Sequence, residues 1–192
     1  MILRLASSNP NKARELARAL PGWRIEPLVA DGYPPEEGDS YHDNALIKAR
    51  FGHGLAPGEW VLGEDSGIEV QALGGRPGVH SARWAENGVA RLLAELAGVT
   101  DRTARYVCEL VALGPGGEEV RGRGTLEGAI ALEPRGTEGF GYDPIFVPEG
   151  ETRTVAELGD AWKAQNSHRS RAAFTLSRVL PPPEPPSAPA SS

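Results

Sequence analysis

Two long extended segments joined by a glycine-rich turn limit what this chain can fold into. Residues 105–113 form an apolar run typical of a buried strand, and residues 118–132 supply its partner. Between them, the sequence Gly-Pro-Gly-Gly at residues 114–117 predicts a hairpin turn. Because a hairpin makes part of the sheet antiparallel while other strands alternate with helices, the chain predicts a mixed α/β sheet rather than a purely parallel one.

The remaining segments supply further strands and helices. Residues 2–6, 23–28 and 60–62 have the apolar character of short strands, and residues 68–73 resume extended structure. A helix is predicted from Pro10, with Asn9 as its N-cap, and another over residues 40–51. Two more helices are indicated by apolar residues at helical spacing: Val89, Leu92, Leu93 and Leu96 before Gly98, and Ala172, Leu176 and Val179.

The length of the chain predicts one domain. With 192 residues it can build one sizeable core. We assign residues 1–180 to that domain. Residues 181–192 are rich in proline and have little to bury, so they predict a disordered tail.

Charge and cysteine content exclude several classes of function. Twenty Lys and Arg against 26 Asp and Glu give a net charge of −6, which opposes binding to nucleic acid or to an anionic membrane. Cys108, the single cysteine, has no partner within the chain for a disulfide. Since no signal segment or membrane-spanning run is visible, we expect a cytoplasmic protein.

The first candidate site is the turn between the first strand and the first helix. Backbone N–H groups and the helix dipole favour an anion there, and Lys12 in the first helical turn would be relieved by a bound phosphate. An ordinary N-cap beside an exposed lysine is the alternative. The residues are Ser7, Ser8, Asn9, Pro10, Asn11 and Lys12.

Acidic residues form the second and third candidates. Glu64 and Asp65 follow a short apolar strand, so we expect adjacent carboxylates at a sheet edge, pointing to opposite faces. Asn44 and Lys48 share one helix face, and Asp43 adjoins it. A polar hairpin and a solvated helix face are the respective alternatives. Carboxylates are the ligands that magnesium prefers, and the chain lacks the common phosphate-loop, dinucleotide, nucleophile-elbow and zinc-protease motifs.

The remaining candidates lie near the carboxyl end. Aromatic residues alternate with glycines in Gly139-Phe140-Gly141-Tyr142-Asp143-Pro144, a pattern that lets a flat base approach the backbone. Lys163, His168 and Arg169 follow, with Ser167 as a predicted N-cap. An aromatic turn and a charged helix start are the alternatives.

Taken together and in order, these motifs closely resemble the inosine triphosphatase family, the dITP/XTP pyrophosphatases. The resemblance covers residues 1–180 and rests on six segments: A-S-S-N-P-N-K-A-R-E-L, D-N-A-L-I-K-A-R, G-E-D-S-G-I-E-V, L-G-G-R-P-G-V-H-S-A-R-W, G-F-G-Y-D-P-I-F and S-H-R. It implies a two-lobed α/β fold, with a long mixed sheet flanked by helices and an active-site cleft between the lobes. It also implies hydrolysis of ITP, dITP and XTP to the monophosphate and pyrophosphate, a need for Mg²⁺, and a homodimer.

The resemblance also implies roles for individual residues. Asp65 corresponds to the catalytic acid and a metal ligand, Asp43 to the second metal ligand, and Ser66 to a substrate-binding neighbour. Residues 7–12 would bind the triphosphate, and Arg83 is a further phosphate contact. The remaining substrate contacts would come from Phe140, Gly141, Tyr142, Asp143, Lys163, His168 and Arg169.

Two departures from the family pattern concern the acids. Asp43 stands where the family usually has Glu, and Glu64 where Asp is common. A non-catalytic purine nucleotide-binding or sensor protein on the same scaffold is the alternative function. Incubation with ITP and magnesium separates the two, because only an enzyme turns the nucleotide over.

Overall fold

The computed structural model describes residues 1–182, and within them six strands form a single mixed sheet. The spatial order is β2-β1-β3-β4-β5-β6. The strands are β1 (Ile2–Leu5), β2 (Arg24–Pro27), β3 (Trp60–Val70), β4 (Thr103–Leu113), β5 (Glu119–Ile130) and β6 (Phe146–Pro148). β1 pairs in parallel with β2 and β3, whereas β3 to β6 pair antiparallel. The predicted mixed sheet and the hairpin of β4 and β5 are therefore confirmed. Most of the predicted tail, residues 183–192, lies outside the described residues.

Five α-helices lie among the described residues. They are α1 (Pro10–Ala19), α2 (Tyr41–Leu55), α3 (Gly88–Glu95), α4 (Val155–Asn166) and α5 (His168–Ser177). The predicted N-caps Asn9 and Ser167 both accept backbone N–H groups of their helices. The prediction for Val179 was wrong, because α5 ends at Ser177 and Val179 is exposed. None of the described helices is long and apolar enough to cross a membrane.

The helices cover both faces of the sheet. On one face, α1 and α5 pack on Leu62 and Leu110. On the other, Ala45 and Ala49 of α2 pack on Val111, which neighbours Leu110 in β4 and so points the opposite way. α2 lies so close to β3 that a Cβ at Gly63 would overlap the Ala45 carbonyl, so this position requires glycine.

Two separate cores on one face of the long strands divide the molecule into lobes. The first contains β1, α1, α5 and the early part of β3, including Leu62. The second contains the far end of the same strand, including Ile68, together with α3, β6 and Val155 of α4. A cleft opens between the two cores, as the predicted two-lobed architecture requires.

β3 continues through the acidic motif instead of ending before it. The expectation of a short strand over residues 60–62, with extended structure resuming at residue 68, was wrong, because β3 pairs with β4 from Val61 to Val70 without a break. β1, however, ends at Leu5, opposite Leu62. Beyond that point the β1 side of β3 is contacted by side chains: Lys48 Nζ donates to the Glu64 carbonyl (3.0 Å) and Ser81 Oγ accepts from Ile68 N (2.9 Å).

Candidate functional site

The candidate site is the cleft between the lobes. Its volume is about 760 Å³, within the range of pockets that bind small molecules. One wall carries Asn9, Lys12 and Ser66, and the other carries residues 81–82 and 85–89 and the 140–143 turn. Lys163, His168 and Arg169 also line it. The structure therefore brings together most of the predicted substrate-binding residues, although they lie up to 160 positions apart in the chain.

The amino end of α1 opens into the cleft. Asn9 Oδ1 accepts the backbone N–H groups of Asn11 (2.9 Å) and Lys12 (3.4 Å), and Ser7 Oγ accepts that of Asn9 (3.2 Å). Ser8 and Pro10 are exposed. Lys12 Nζ forms an ion pair with Glu64 Oε2 at 2.6 Å, so its charge is balanced by this carboxylate.

Glu64 is a fully buried carboxylate held by two cations. Besides Lys12, Arg169 binds Glu64 Oε1 through Nη2 (2.9 Å) and Nε (3.2 Å). Burial raises the pKa of the Glu64 carboxyl, but Lys12 and Arg169 outweigh burial and hold this pKa well below its usual range. Arg169 Nη2 also donates to Ser66 Oγ at 2.9 Å. Glu64 therefore orients two cations that face the cleft.

A second carboxylate, Glu15 of α1, links the remaining cations. Its Oε1 lies 2.6 Å from Lys163 Nζ, and its Oε2 binds Arg169. Lys163 also donates to Asp143 Oδ2 at 2.7 Å. Sequence reasoning missed Glu15, although its position three residues after Lys12 places the two side chains on the same side of α1.

The glycine and aromatic turn presents a ring beside these cations. Lys163 Nζ lies 4.5 Å from the centre of the Phe140 ring, and Arg169 Cζ 5.7 Å from it. Asp143 Oδ2 accepts the Phe140 N–H at 2.8 Å. A Cβ at Gly139, whose φ is 78°, would overlap that carboxylate, so glycine is required there. Gly141 is exposed, and the Tyr142 hydroxyl donates to the Ser81 carbonyl across the second lobe (3.0 Å).

His168 is buried at the back of the cleft. It stacks on Tyr106, with ring centres 4.6 Å apart and an angle of 14° between the planes. Burial, reinforced by the charge of Arg169, holds the pKa of His168 well below its usual range. The ring is therefore neutral near pH 7, and its Nδ1 is buried without a hydrogen-bond partner among the described residues.

Asp65 points to the opposite face of β3 from Glu64, as adjacent strand residues must. Lys48 Nζ lies 3.0 Å from Asp65 Oδ1, and Asn44 Nδ2 lies 3.2 Å from Oδ2. Burial raises the pKa of Asp65, and the nearby charges of Glu64 and Glu36 raise it further against the opposing effect of Lys48. The predicted proximity of Asn44 and Lys48 is thus present, and both side chains contact Asp65.

Asp43 does not join this group. It is exposed, and its Oδ2 accepts a hydrogen bond from Ser40 Oγ, the N-cap of α2, at 2.7 Å. The carboxylate that does approach is Glu36, which forms an ion pair with the same Lys48 ammonium that contacts Asp65. Glu36 lies in an acidic, proline-rich loop without periodicity, so no sequence signal distinguished it from its neighbour Glu37.

Glu36 and Asp65 fit a magnesium ion better than a metal that needs several protein ligands. Within the described residues, no group of three or more His, Cys, Asp or Glu side chains is arranged to hold a metal. Magnesium is commonly bound by one or two carboxylates, with water and substrate phosphates completing its six ligands. Two carboxylates that already share one cation, Lys48, satisfy that requirement.

The fold and the cleft define a two-lobed α/β protein with a charged cleft of nucleotide size. The chain belongs to the Ham1 family, whose model matches residues 3–179. A relative from Symbiobacterium thermophilum, named dITP/XTP pyrophosphatase, is 49% identical over 186 residues, covering 92% of this chain and 93% of the relative. One of the same name from Bdellovibrio bacteriovorus is 41% identical over 186 residues, covering 90% and 94%.

Solved structures agree with the fold. The Ham1 protein of Staphylococcus aureus superposes with a TM-score of 0.82 at 35% identity, covering 93% of this chain and 97% of that one. The resemblance to the dITP/XTP pyrophosphatases inferred from the motifs is therefore confirmed, as is the two-lobed α/β fold.

Proposed function

We propose that this protein hydrolyses non-standard purine nucleoside triphosphates, such as ITP, dITP and XTP, to the monophosphate and pyrophosphate. The observation that carries the proposal is one continuous cleft with the amino end of α1 and Lys12 on one wall and the Phe140 ring with Lys163 and Arg169 on another. A polyanion suits the first end, and a flat base suits the second. The relatives named dITP/XTP pyrophosphatase support the same reaction.

In this proposal the triphosphate binds at residues 7–12. The positive end of the α1 dipole and the Lys12 ammonium stabilise the phosphate charge, while Asn9 Oδ1 accepts the N–H groups of Asn11 and Lys12. Since Lys12 is paired with Glu64, the phosphate of the substrate competes with a carboxylate for this cation. The base lies against Phe140, where Lys163 has a third N–H left after donating to Glu15 and Asp143.

Asp65 is proposed as the general base. It aligns a water whose oxygen attacks the α-phosphorus, and it accepts the proton of that water. The bond between the α-phosphorus and the oxygen bridging to the β-phosphorus breaks, and pyrophosphate leaves with the electron pair. A raised pKa favours this role, because a base is more effective as its pKa approaches the working pH. Lys48 keeps the carboxylate oriented.

Asp65 and Lys12 lie on opposite faces of β3, yet one ligand can reach both. β1 ends at Leu5, so a phosphate at the edge of β3 beyond Leu62 lies beside both faces of the strand. We propose Glu36 and Asp65 as the residues that hold Mg²⁺. When bound, this ion would neutralise phosphate charge and favour departure of pyrophosphate.

The proposal is tested by incubating the protein with ITP, XTP, GTP and ATP in the presence of Mg²⁺, with pyrophosphate and orthophosphate quantified separately. A C6 oxygen accepts from Lys163 or Arg169, whereas the C6 amine of ATP leaves such a donor unpaired. We expect kcat/KM for ITP or XTP to exceed that for ATP by at least roughly a hundredfold. Orthophosphate as the primary product would contradict the chemistry, and tight binding without turnover would favour a nucleotide sensor.

We also propose that residues 1–180 act as one domain in a cytoplasmic homodimer, as the family resemblance implies. Sedimentation equilibrium of the full chain gives the mass directly. A monomer at all concentrations would contradict the dimer without affecting the proposed reaction.

A further inference from the structure

Arg83, which the family resemblance implies as a phosphate contact, is not among the residues that line the cleft and instead binds the loop that carries Glu36. Its Nη1 lies 2.5 Å from Glu36 Oε2, and its Nη2 donates to the Glu36 main-chain carbonyl at 2.6 Å. One guanidinium thus holds both the side chain and the backbone of the same residue. His80 Nδ1, 3.2 Å from Nη2, supports the guanidinium from its own turn.

The Glu36 loop has little regular structure to orient it. Between β2 and α2, residues 28–40 contain no helix or strand. Asn44 Oδ1 holds the later part of the loop by accepting the Gly38 N–H at 2.8 Å. At Glu36 itself the polar contacts are with Arg83 and Lys48, and Lys48 also contacts Asp65. The position of the Glu36 carboxylate relative to Asp65 therefore depends on Arg83 together with Lys48.

We propose that Arg83 is a positioning residue that keeps Glu36 facing Asp65, so that the two carboxylates can bind one divalent cation. This inference rests on the proposed metal-binding role of Glu36 and Asp65. If Arg83 acted only through its charge, its loss would have the opposite effect on metal binding, because a cation beside Glu36 repels a bound metal cation. Positioning predicts that loss of Arg83 weakens metal binding, whereas a purely electrostatic role predicts that it strengthens metal binding.

Two substitutions separate these roles. Arg83→Gln removes the charge, and Arg83→Lys keeps the charge but lacks the planar fork that reaches the carboxylate and the carbonyl together. The matched control is Arg76→Gln, which removes another arginine of the same region that pairs with Glu95 (3.3 Å) and not with Glu36. Glu36→Gln serves as the reference for loss of the ligand itself.

The measurement is binding of Mn²⁺ alone to the full chain, followed by electron paramagnetic resonance of the free ion. We expect both Arg83 variants to bind Mn²⁺ roughly tenfold or more weakly than the parent, as is usual when a residue that orients a metal ligand is removed. Arg76→Gln should bind within about twofold of the parent.

Parent-like or tighter Mn²⁺ binding in both Arg83 variants, with weakened binding in Glu36→Gln, would overturn the inference and leave the proposed metal site intact. Parent-like binding in Glu36→Gln would overturn the metal site and the inference together. If Arg83→Gln does not fold, Arg83→Lys alone decides, since it retains the charge and most of the side-chain volume.

Discussion

Replacing Glu64 by Gln tests how much the buried ion pairs that join β3 to α1 and α5 stabilise the fold. The change removes the charge of a fully buried carboxylate while leaving Lys12 and Arg169 in place. Breaking a buried pair by removing one partner costs about 3–5 kcal/mol. Arg169 keeps Glu15, and Lys12 retains some access to water, so we expect the lower end, about 3 kcal/mol. For a chain of this size each kcal/mol lowers Tm by about 2–4 °C, which gives a fall of about 6–12 °C.

The assay is thermal unfolding followed by circular dichroism, with Glu69→Gln as the matched control. Glu69 lies on the same strand and pairs with Arg105 at 2.8 Å, but both side chains are partly exposed. An exposed pair contributes about 0–1 kcal/mol, so Tm should fall by less than about 4 °C. Equal falls in the two variants would refute the argument that burial makes the Glu64 pairs important.

The pH dependence of the Glu64→Gln effect supplies an independent check. The pKa of Glu64 is lower in the folded protein than in the unfolded chain. Its contribution to stability is therefore present above the unfolded pKa of about 4.3 and is lost as pH falls through the folded pKa. The difference in Tm between parent and variant should shrink in that acidic range. A difference that stays constant from about pH 7 to pH 3 would be incompatible with this linkage.

Three further predictions concern the acidic residues near Lys48 and the end of the chain. Asp65→Asn should keep the fold and lower kcat roughly 100-fold or more, because an amide cannot take a proton; near-parental kcat removes Asp65 from the mechanism. Glu36→Ala should raise the Mg²⁺ concentration needed for half-maximal rate. Asp43→Ala should change that concentration little, because Asp43 contacts only Ser40 among the hydrogen bonds described. A larger effect of Asp43→Ala than of Glu36→Ala would indicate that Asp43 is the metal ligand. Ending the chain after Leu180, which is itself buried, should leave Tm and kcat unchanged, and a large fall in Tm would show that the removed segment packs against the domain.

Local patterns predicted the elements whose signals are contained in short stretches of sequence. Asn9 before Pro10 located the start of α1, and the run before Gly114 located β4 and its turn. α4 was missed, because Gly159 interrupts it with φ 83° and ψ 176° and obscures its periodicity. The prediction of a short strand before the acidic motif failed for another reason. Two adjacent charged residues usually indicate the end of a strand, but here Lys12 pairs with Glu64 and Lys48 pairs with Asp65, so the strand continues through them.

The candidate site was predictable where its residues belong to compact motifs. Lys12 and Arg169 share Glu64, and Lys163 and Arg169 share Glu15. These contacts join α1 to helices that are distant from it in the sequence, and no spacing rule predicts them. Glu36 illustrates the limit, because its side chain is bound by an arginine 47 positions away that no local pattern connects to it.

The opposite orientation of two neighbouring acids on β3 has a consequence for how this gene can be altered. A single-residue insertion or deletion within the strand would rotate every later side chain to the other face. An insertion ahead of Glu64 would place Glu64 on the face of Lys48 and Asp65 on the face of Lys12 and Arg169, so each acid would lose its partners. Length changes should therefore be tolerated in the surface turn at residues 56–59, ahead of the strand, but not between Trp60 and Ser66. A library of insertions scanned along this segment would show a sharp boundary at the start of β3.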